Sequence, residues 1–175
     1  VIAVSRASAH DAETLFGVPA GAIAVVPNGV SERFAPVPDR DALRDRLGVR
    51  RPLVLLVGHT QGYMNVDGAL RAAAAAARDI DLEVIKIGAP LTVEQGRVAE
   101  TEGLSGRLRE RGIVGEDELR DWYAAADALL YLPLMSGFGL PVLEAMASGT
   151  PVVASSIGAV PEVAEGAATL VDPRD

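Results

Sequence analysis

The stretch SGFGLPVLEAMASG, Ser136 to Gly149, directly follows the apolar run ALLYLPL, Ala128 to Leu134, and Met135. The run reads as a strand. Gly137 and Gly139, on either side of Phe138, read as a turn, and the segment after Pro141 reads as a helix. Proline suits the first helical position because the N–H it lacks has no partner there, and Gly149 suits the position just past the end. Strand, glycine turn and helix in this order leave free backbone N–H groups at the helix start, where the helix dipole favours an anion. A helix apolar on nearly every side is a buried one, and its single acid, Glu144, is costly to bury without a partner. Two readings stand: a core helix whose glutamate grazes the surface, or a phosphate site with a carboxylate set beside it.

The same order repeats upstream. Pro52 to Val57 (PLVLLV) is a continuous apolar run closed by Gly58, and Leu82 to Ile87 reads as the next strand, again closed by a glycine, Gly88. Runs without alternation suit strands buried on both faces of a parallel sheet. Between them a polar loop, His59 to Met64, leads to Asn65, the expected N-cap of an alanine-rich helix reaching about Arg78. Thr92 and Gln95 form a capping box for a helix to Glu102. Leu108 to Val114 is ambiguous, with a short strand as one reading. Glu116 to Ala126 is a helix with acids in its first turn, as the dipole prefers. Val152 to Ala154 and Thr169 to Val171 are short strands around a helical turn at Pro161 to Ala164. At the front, Val1 to Val4 and Ile23 to Val26 read as short strands. Ser8 is the expected cap of a helix that stops at Gly17. Pro27-Asn28-Gly29 is a turn, and Asp39 to Leu47 is a charged helix ended by Gly48.

From Pro52 onward strands alternate with helices. That pattern predicts right-handed βαβ units and an α/β fold, a doubly wound parallel sheet with helices on both faces. Ligands of such sheets bind outside the carboxyl ends of the strands, where Gly58, Gly88 and the Ser136 to Gly139 turn are expected to gather.

Composition narrows the function. The length of 175 residues suits one domain. A net charge of −8 argues against a nucleic-acid surface. The absence of cysteine excludes disulfides, a thiol nucleophile and cysteine-bound zinc. His10 and His59 are too far apart in sequence to suggest a metal cluster. No apolar run approaches the roughly 18 residues of a membrane span. The chain opens on Val-Ile-Ala-Val without a methionine, which reads as a piece of something longer.

The glycine turn is not a dinucleotide fingerprint, because the third glycine position holds Val142. No Gly-Lys-Ser or Gly-Lys-Thr makes a P-loop. Asp79-Ile80-Asp81 matches a metal-holding triplet only weakly and is expected to be a solvated loop. His10 falls in an amphipathic helix and reads as structural. His59 follows Gly58 at a strand's carboxyl end and faces the predicted site.

The longer run GFGLPVLEAMASGTPVVASSIGAVPEVAEGAATLVDP resembles the C-terminal domain of the retaining glycosyltransferases of family 4, with the GT-B fold. The segments VIAVSRASAHD, VVPNGV, VGHTQGYMNVDGAL and GIVGEDELRDWYAAADALLYLP extend the likeness over essentially the whole chain. The resemblance implies that residues 1–175 form the Rossmann-like, nucleotide-sugar-binding half of that architecture. It also implies that the acceptor-binding N-terminal domain is absent from this chain. Gly137, Phe138, Gly139 and Leu140 would place backbone N–H groups on the diphosphate and sugar. Glu144 falls on the second glutamate of the family's pair, which bonds the ribose hydroxyls. Gly58 falls where the chain passes close to the diphosphate, with His59 beside it. Gly112, Ile113 and Val114 resemble the backbone flanking the nucleobase.

Two positions depart from the family pattern. The first glutamate of the pair, a catalytic-site position, is here Ser136. The family's basic pair falls on Tyr63 and Met64, so Met64 stands for the diphosphate lysine. A metal-free transferase stabilises its leaving diphosphate with dipoles and cations, and neither methionine nor serine supplies the missing charge. The expected activity is transfer of a sugar from a nucleoside-diphosphate sugar with retention of configuration, without metal or other cofactor. The alternatives are a glycosyltransferase-like partner or regulatory subunit without transfer activity and, fitting less well, a nucleotide-sugar epimerase. The charge argues against a nucleic-acid partner, and the expected location is cytoplasmic or, for the full-length protein, peripheral at the membrane, with any membrane contact made by the absent part.

Overall fold

The computed structural model of the chain describes residues 1–175. Its order is β1 (Ile2–Ala3), α1 (Arg6–Phe16), β2 (Ala24–Val25), α2 (Arg40–Leu47), β3 (Leu53–Gly58), α3 (Val66–Ala76), β4 (Glu83–Gly88), α4 (Val93–Thr101), β5 (Leu108–Gly112), α5 (Glu116–Ala125), β6 (Ala128–Tyr131), α6 (Leu140–Ala147), β7 (Val152–Ser155), α7 (Val160–Ala164) and β8 (Thr169–Val171). Six strands form one parallel sheet in the order β5-β4-β3-β6-β7-β8. The chain builds outward from β3 to β5, crosses back to β6 beside β3, and builds outward again to β8. The order therefore reverses between β3 and β6, and a crevice opens at the carboxyl ends of that pair. β1 and β2 form a separate parallel pair.

Side chains of β3 alternate between two apolar cores. Leu53 and Leu55 face Trp122, Tyr123, Val142 and Val160 from α5, α6 and α7. Leu56 faces Leu70 of α3 and Leu104 on the other side. Both faces are buried there, which is why the sequence shows an unbroken apolar run. Over β6 and β7 the second face is barer. Leu130, Val153 and Ala72 line an apolar groove of about 380 Å3. No helix is long and apolar enough to cross a membrane.

The ambiguous segment after Arg107 is a strand, β5, and ends at Gly112. The Thr92–Gln95 capping box is present in full. Two expected caps need correction. Ser5 caps α1, its Oγ accepting the Ser8 N–H at 2.9 Å, so Ser8 lies inside the helix. Asn65 precedes α3 but makes no side-chain cap. It sits at φ 50 in the left-handed region, and its Nδ2 donates instead to the Pro173 carbonyl at 3.1 Å.

Candidate functional site

A cleft of about 810 Å3 lies at the carboxyl ends of β3 and β6, where the reversal of strand order predicts a ligand. From the β3 side come Gly58, His59 and Met64, and from the β6 side Ser136, Gly137, Phe138 and Gly139. The two sides are tied by the Leu134 N–H, which donates to the Tyr63 carbonyl at 2.7 Å. Gln95 of α4 steadies the β3 loop from below, donating through Nε2 to the Thr60 carbonyl at 3.0 Å.

The glycine turn ends with Gly139 at φ 101, just before α6. The N–H groups of Gly137, Phe138, Gly139 and Leu140 donate to no protein acceptor. Four consecutive free donors at a helix start, reinforced by its dipole, suit an anion. On the opposite wall the His59 N–H is also without an acceptor. Close packing fixes both walls. A Cβ on Gly88 would stand 2.4 Å from the Gly58 carbonyl oxygen, and one on Gly158 would stand 2.4 Å from the Ser136 carbonyl oxygen.

The other expected site residues lie apart from the cleft. Leu140 opens α6 and is partly exposed, but it does not line the cleft wall. Glu144 is one turn further along, its Oε2 accepting the hydroxyl of buried Tyr123 at 2.8 Å. Burial raises the Glu144 carboxyl above its usual range. The Tyr123 hydrogen bond opposes that shift, and the charge of Glu116 adds to it. Burial also pushes the Tyr123 phenol well up, and the Glu144 charge adds to this. Glu116, whose charge reaches Glu144, opens α5 two residues after Val114. Ile113 is 88% exposed, and Val114 packs on the core.

Sequence reading missed Tyr131, Asp11, Ile157 and Gly158 as cleft residues. Tyr131 looks like an ordinary strand residue, but burial holds its phenol above the usual value. Asp11 and Gly158 reach the cleft only through the packing of α1 and of the β7–α7 turn, for which a single sequence carries no signal. His10 is exposed on α1, so it is a surface residue. Asp81 pairs with Arg51 at 3.2 Å and Arg107 at 2.5 Å, in an exposed loop as expected. No three acidic or imidazole groups converge as a metal-ligand set.

The chain is 36% identical over 161 residues to the D-inositol 3-phosphate glycosyltransferase of Streptomyces avermitilis, covering 83% of this chain and 35% of that protein. It is 34% identical over 181 residues to the MMP alpha-(1->4)-mannosyltransferase of Mycolicibacterium hassiacum, covering 100% of this chain and 42% of that protein. The chain thus spans under half the length of these curated relatives. Among solved structures it is similar to Anabaena HepE in complex with UDP and glucose. The TM-score is 0.86 and the identity 25%, over 99% of this chain and 49% of that one. It is also similar to the C-terminal domain of a group 1 family glycosyl transferase from Francisella tularensis. There the TM-score is 0.73 and the identity 26%, over 84% of this chain and 82% of that one. Residues 51–175 match the family of group 1 glycosyl transferases, and with this fold and these relatives the chain belongs to that family.

Proposed function

We propose that this chain is the donor-binding half of a retaining glycosyltransferase. It would hold a nucleoside-diphosphate sugar while an acceptor domain presents the group to be glycosylated. The observation that carries the reading is the row of free N–H groups from Gly137 to Leu140 on the strand-reversal cleft. A leaving diphosphate develops charge that fixed dipoles stabilise without reorganising. In this reading Glu144 and the Gly112–Val114 loop hold the ribose and base, one turn from the diphosphate. No metal is needed. The relative crystallised with UDP and glucose makes UDP the first nucleotide to try.

Calorimetric titration of the chain with UDP, GDP, ADP and their glucose or mannose conjugates tests the reading. Saturable binding of one diphosphate at one site is expected. Failure of all of them to bind overturns it.

Met64 and Ser136 favour a second reading, in which the protein binds nucleotide but does not transfer sugar. Both face the cleft, and neither carries the charge that the family pattern places there. Transfer by the full-length protein to any acceptor, measured with radiolabelled donor, excludes this second reading.

A further inference from the structure

Lys86 is the one lysine of the chain, and it stands in the middle of an otherwise apolar stretch of β4. It is 2% exposed. Its ammonium donates to the carbonyl oxygens of Gly58 at 2.8 Å, Ile87 at 3.0 Å and Ala89 at 3.0 Å. An ammonium has three N–H groups, so neutral carbonyls engage all of them. Glu110 of β5, opposite Lys86 in the ladder, acts on it through space, while Glu110 Oε2 accepts the Leu91 N–H at 2.7 Å. A buried cation without a contacting anion is costly.

The place of this cation is informative. The Gly58 carbonyl belongs to the peptide that enters the cleft. A peptide is planar and trans, so fixing its oxygen toward Lys86 turns the His59 N–H to the opposite side. That N–H is one of the free donors of the cleft. A small cavity of about 20 Å3 beside Lys86 is lined by His59, Met64 and Tyr131, and all three line the cleft as well. Lys86 therefore lies behind the wall that Met64 forms in front.

We propose that Lys86 is the positioning cation of the donor site. It fixes the Gly58 carbonyl so that the His59 N–H faces the diphosphate, and it supplies from beneath the strand end the positive charge that Met64 does not supply from the loop. The inference rests on the nucleoside-diphosphate reading above. Burial lowers the Lys86 ammonium from 10.5 to about 8, with Glu110 opposing the shift. The titratable groups that face it are Glu110 from β5, His59 from the loop after β3 and Tyr131 from β6. α3 presents only Val66 and Ala69. An anion nearby favours the charged form and raises its pKa. Diphosphate affinity is therefore full below the free-protein value of Lys86 and falls as pH rises through it.

Because Lys86 is alone, protein carrying 13C-labelled lysine gives one side-chain signal. Its pH titration is followed in the free protein, with uridine, and with UDP, while calorimetry on the same samples measures occupancy. The expected midpoint is about 8 in the free protein. Bound UDP should raise it by about one unit or more, and uridine should leave it in place. Lys86→Met should weaken UDP about tenfold while changing uridine less than about twofold. A lysine signal that does not move although UDP is bound overturns the inference and leaves the donor reading intact. Equal losses for both ligands also overturn it. If neither UDP, GDP nor ADP binds, the donor reading itself fails, and the inference with it. The signal of the natural protein decides the matter even if Lys86→Met does not fold.

Discussion

The Ser5 hydroxyl donates to the Gly137 carbonyl oxygen at 2.7 Å, across 132 positions of chain. Ser8 adds a second bond to the same oxygen at 2.9 Å. The start of α1 therefore grips the glycine turn, and planarity of the peptide sends the Phe138 N–H the other way. Ser8→Ala should cost roughly 0.5–1.5 kcal/mol in urea unfolding and weaken UDP a few-fold. Ser5→Ala should cost more, because Ser5 also caps α1, a cap being worth about 1 kcal/mol. If both variants bind UDP as tightly as the natural chain, the turn holds its orientation without α1.

Gly158 stands at φ 61 with the Ser136 carbonyl oxygen where a Cβ would need to be. Gly166 also has positive φ, 83°, but nothing stands within 4 Å of its Cβ position. Gly166→Ala should lose only the conformational cost of about 1–2 kcal/mol. Gly158→Ala should lose that and more, and should displace Ser136 from the cleft wall. Thermal unfolding of the two variants gives the comparison. Equal losses would show that the Ser136 backbone yields freely.

Glu144→Gln should separate stability from binding. Burial, opposed by the Tyr123 hydroxyl and assisted by Glu116, raises the Glu144 carboxyl in the folded chain. The folded state then binds the proton more tightly than the unfolded state. The stability this contributes is full below the unfolded value, about pH 4, and is lost as pH rises through the raised folded value. Glutamine stays neutral and avoids that loss, so the variant should gain stability at pH 7 relative to the natural chain and gain nothing below about pH 4. A carboxylate that accepts ribose hydroxyls is worth roughly 1.5–3 kcal/mol, so UDP should bind tenfold or more weakly. Unchanged UDP affinity would remove Glu144 from the site.

Met64→Lys adds a cation at the front of the wall that Lys86 backs. It should tighten UDP more than uridine, with a gain that shrinks in high salt. The gain should be larger in a Lys86→Met background than in the natural chain, because the two ammonium groups repel and answer the same need. A double-mutant cycle reads this coupling. Additive effects would mean that the two positions act on different parts of the ligand. Ser136→Glu should leave UDP unchanged or slightly weaker and act only on the sugar-bearing donor.

Strand β3 was legible because both its faces are buried, which leaves an apolar run with no alternation, and β4 because Val84, Ile85 and Ile87 precede a closing glycine. The glycine turn was legible because a helix start with Pro141 and free N–H groups has a local signature. Lys86 was not. In sequence it is one polar residue in a strand; the Ile87 and Ala89 carbonyls that hold it are its chain neighbours, but the third, of Gly58, is brought to it only by the pairing of β3 with β4. Asn65 looked like a cap because asparagine caps well, but tertiary contact with Pro173 outbids a local bond. The partnership of Glu144 with Tyr123 joins two helices, and no spacing in one chain announces it. Gly158 reaches Ser136 by the same kind of long-range placement.

The strand order also has a history in time. β3 pairs with β4 on one side and with β6 on the other. The Leu53 N–H is held by Asp127, 74 positions later, at 2.7 Å. A chain emerging from the ribosome can pair β3, β4 and β5 while the inner edge of β3 still lacks its neighbour. Long loops cost entropy to close, and parallel pairings between distant segments form slowly. Every feature of the cleft waits on that step, because one wall hangs from β3 and the other from β6. The Ser5–Gly137 contact must close a still larger loop. A nascent chain stopped before Ala128 therefore carries a bare apolar strand edge and half a cleft, the state in which a parallel sheet is most exposed to aggregation.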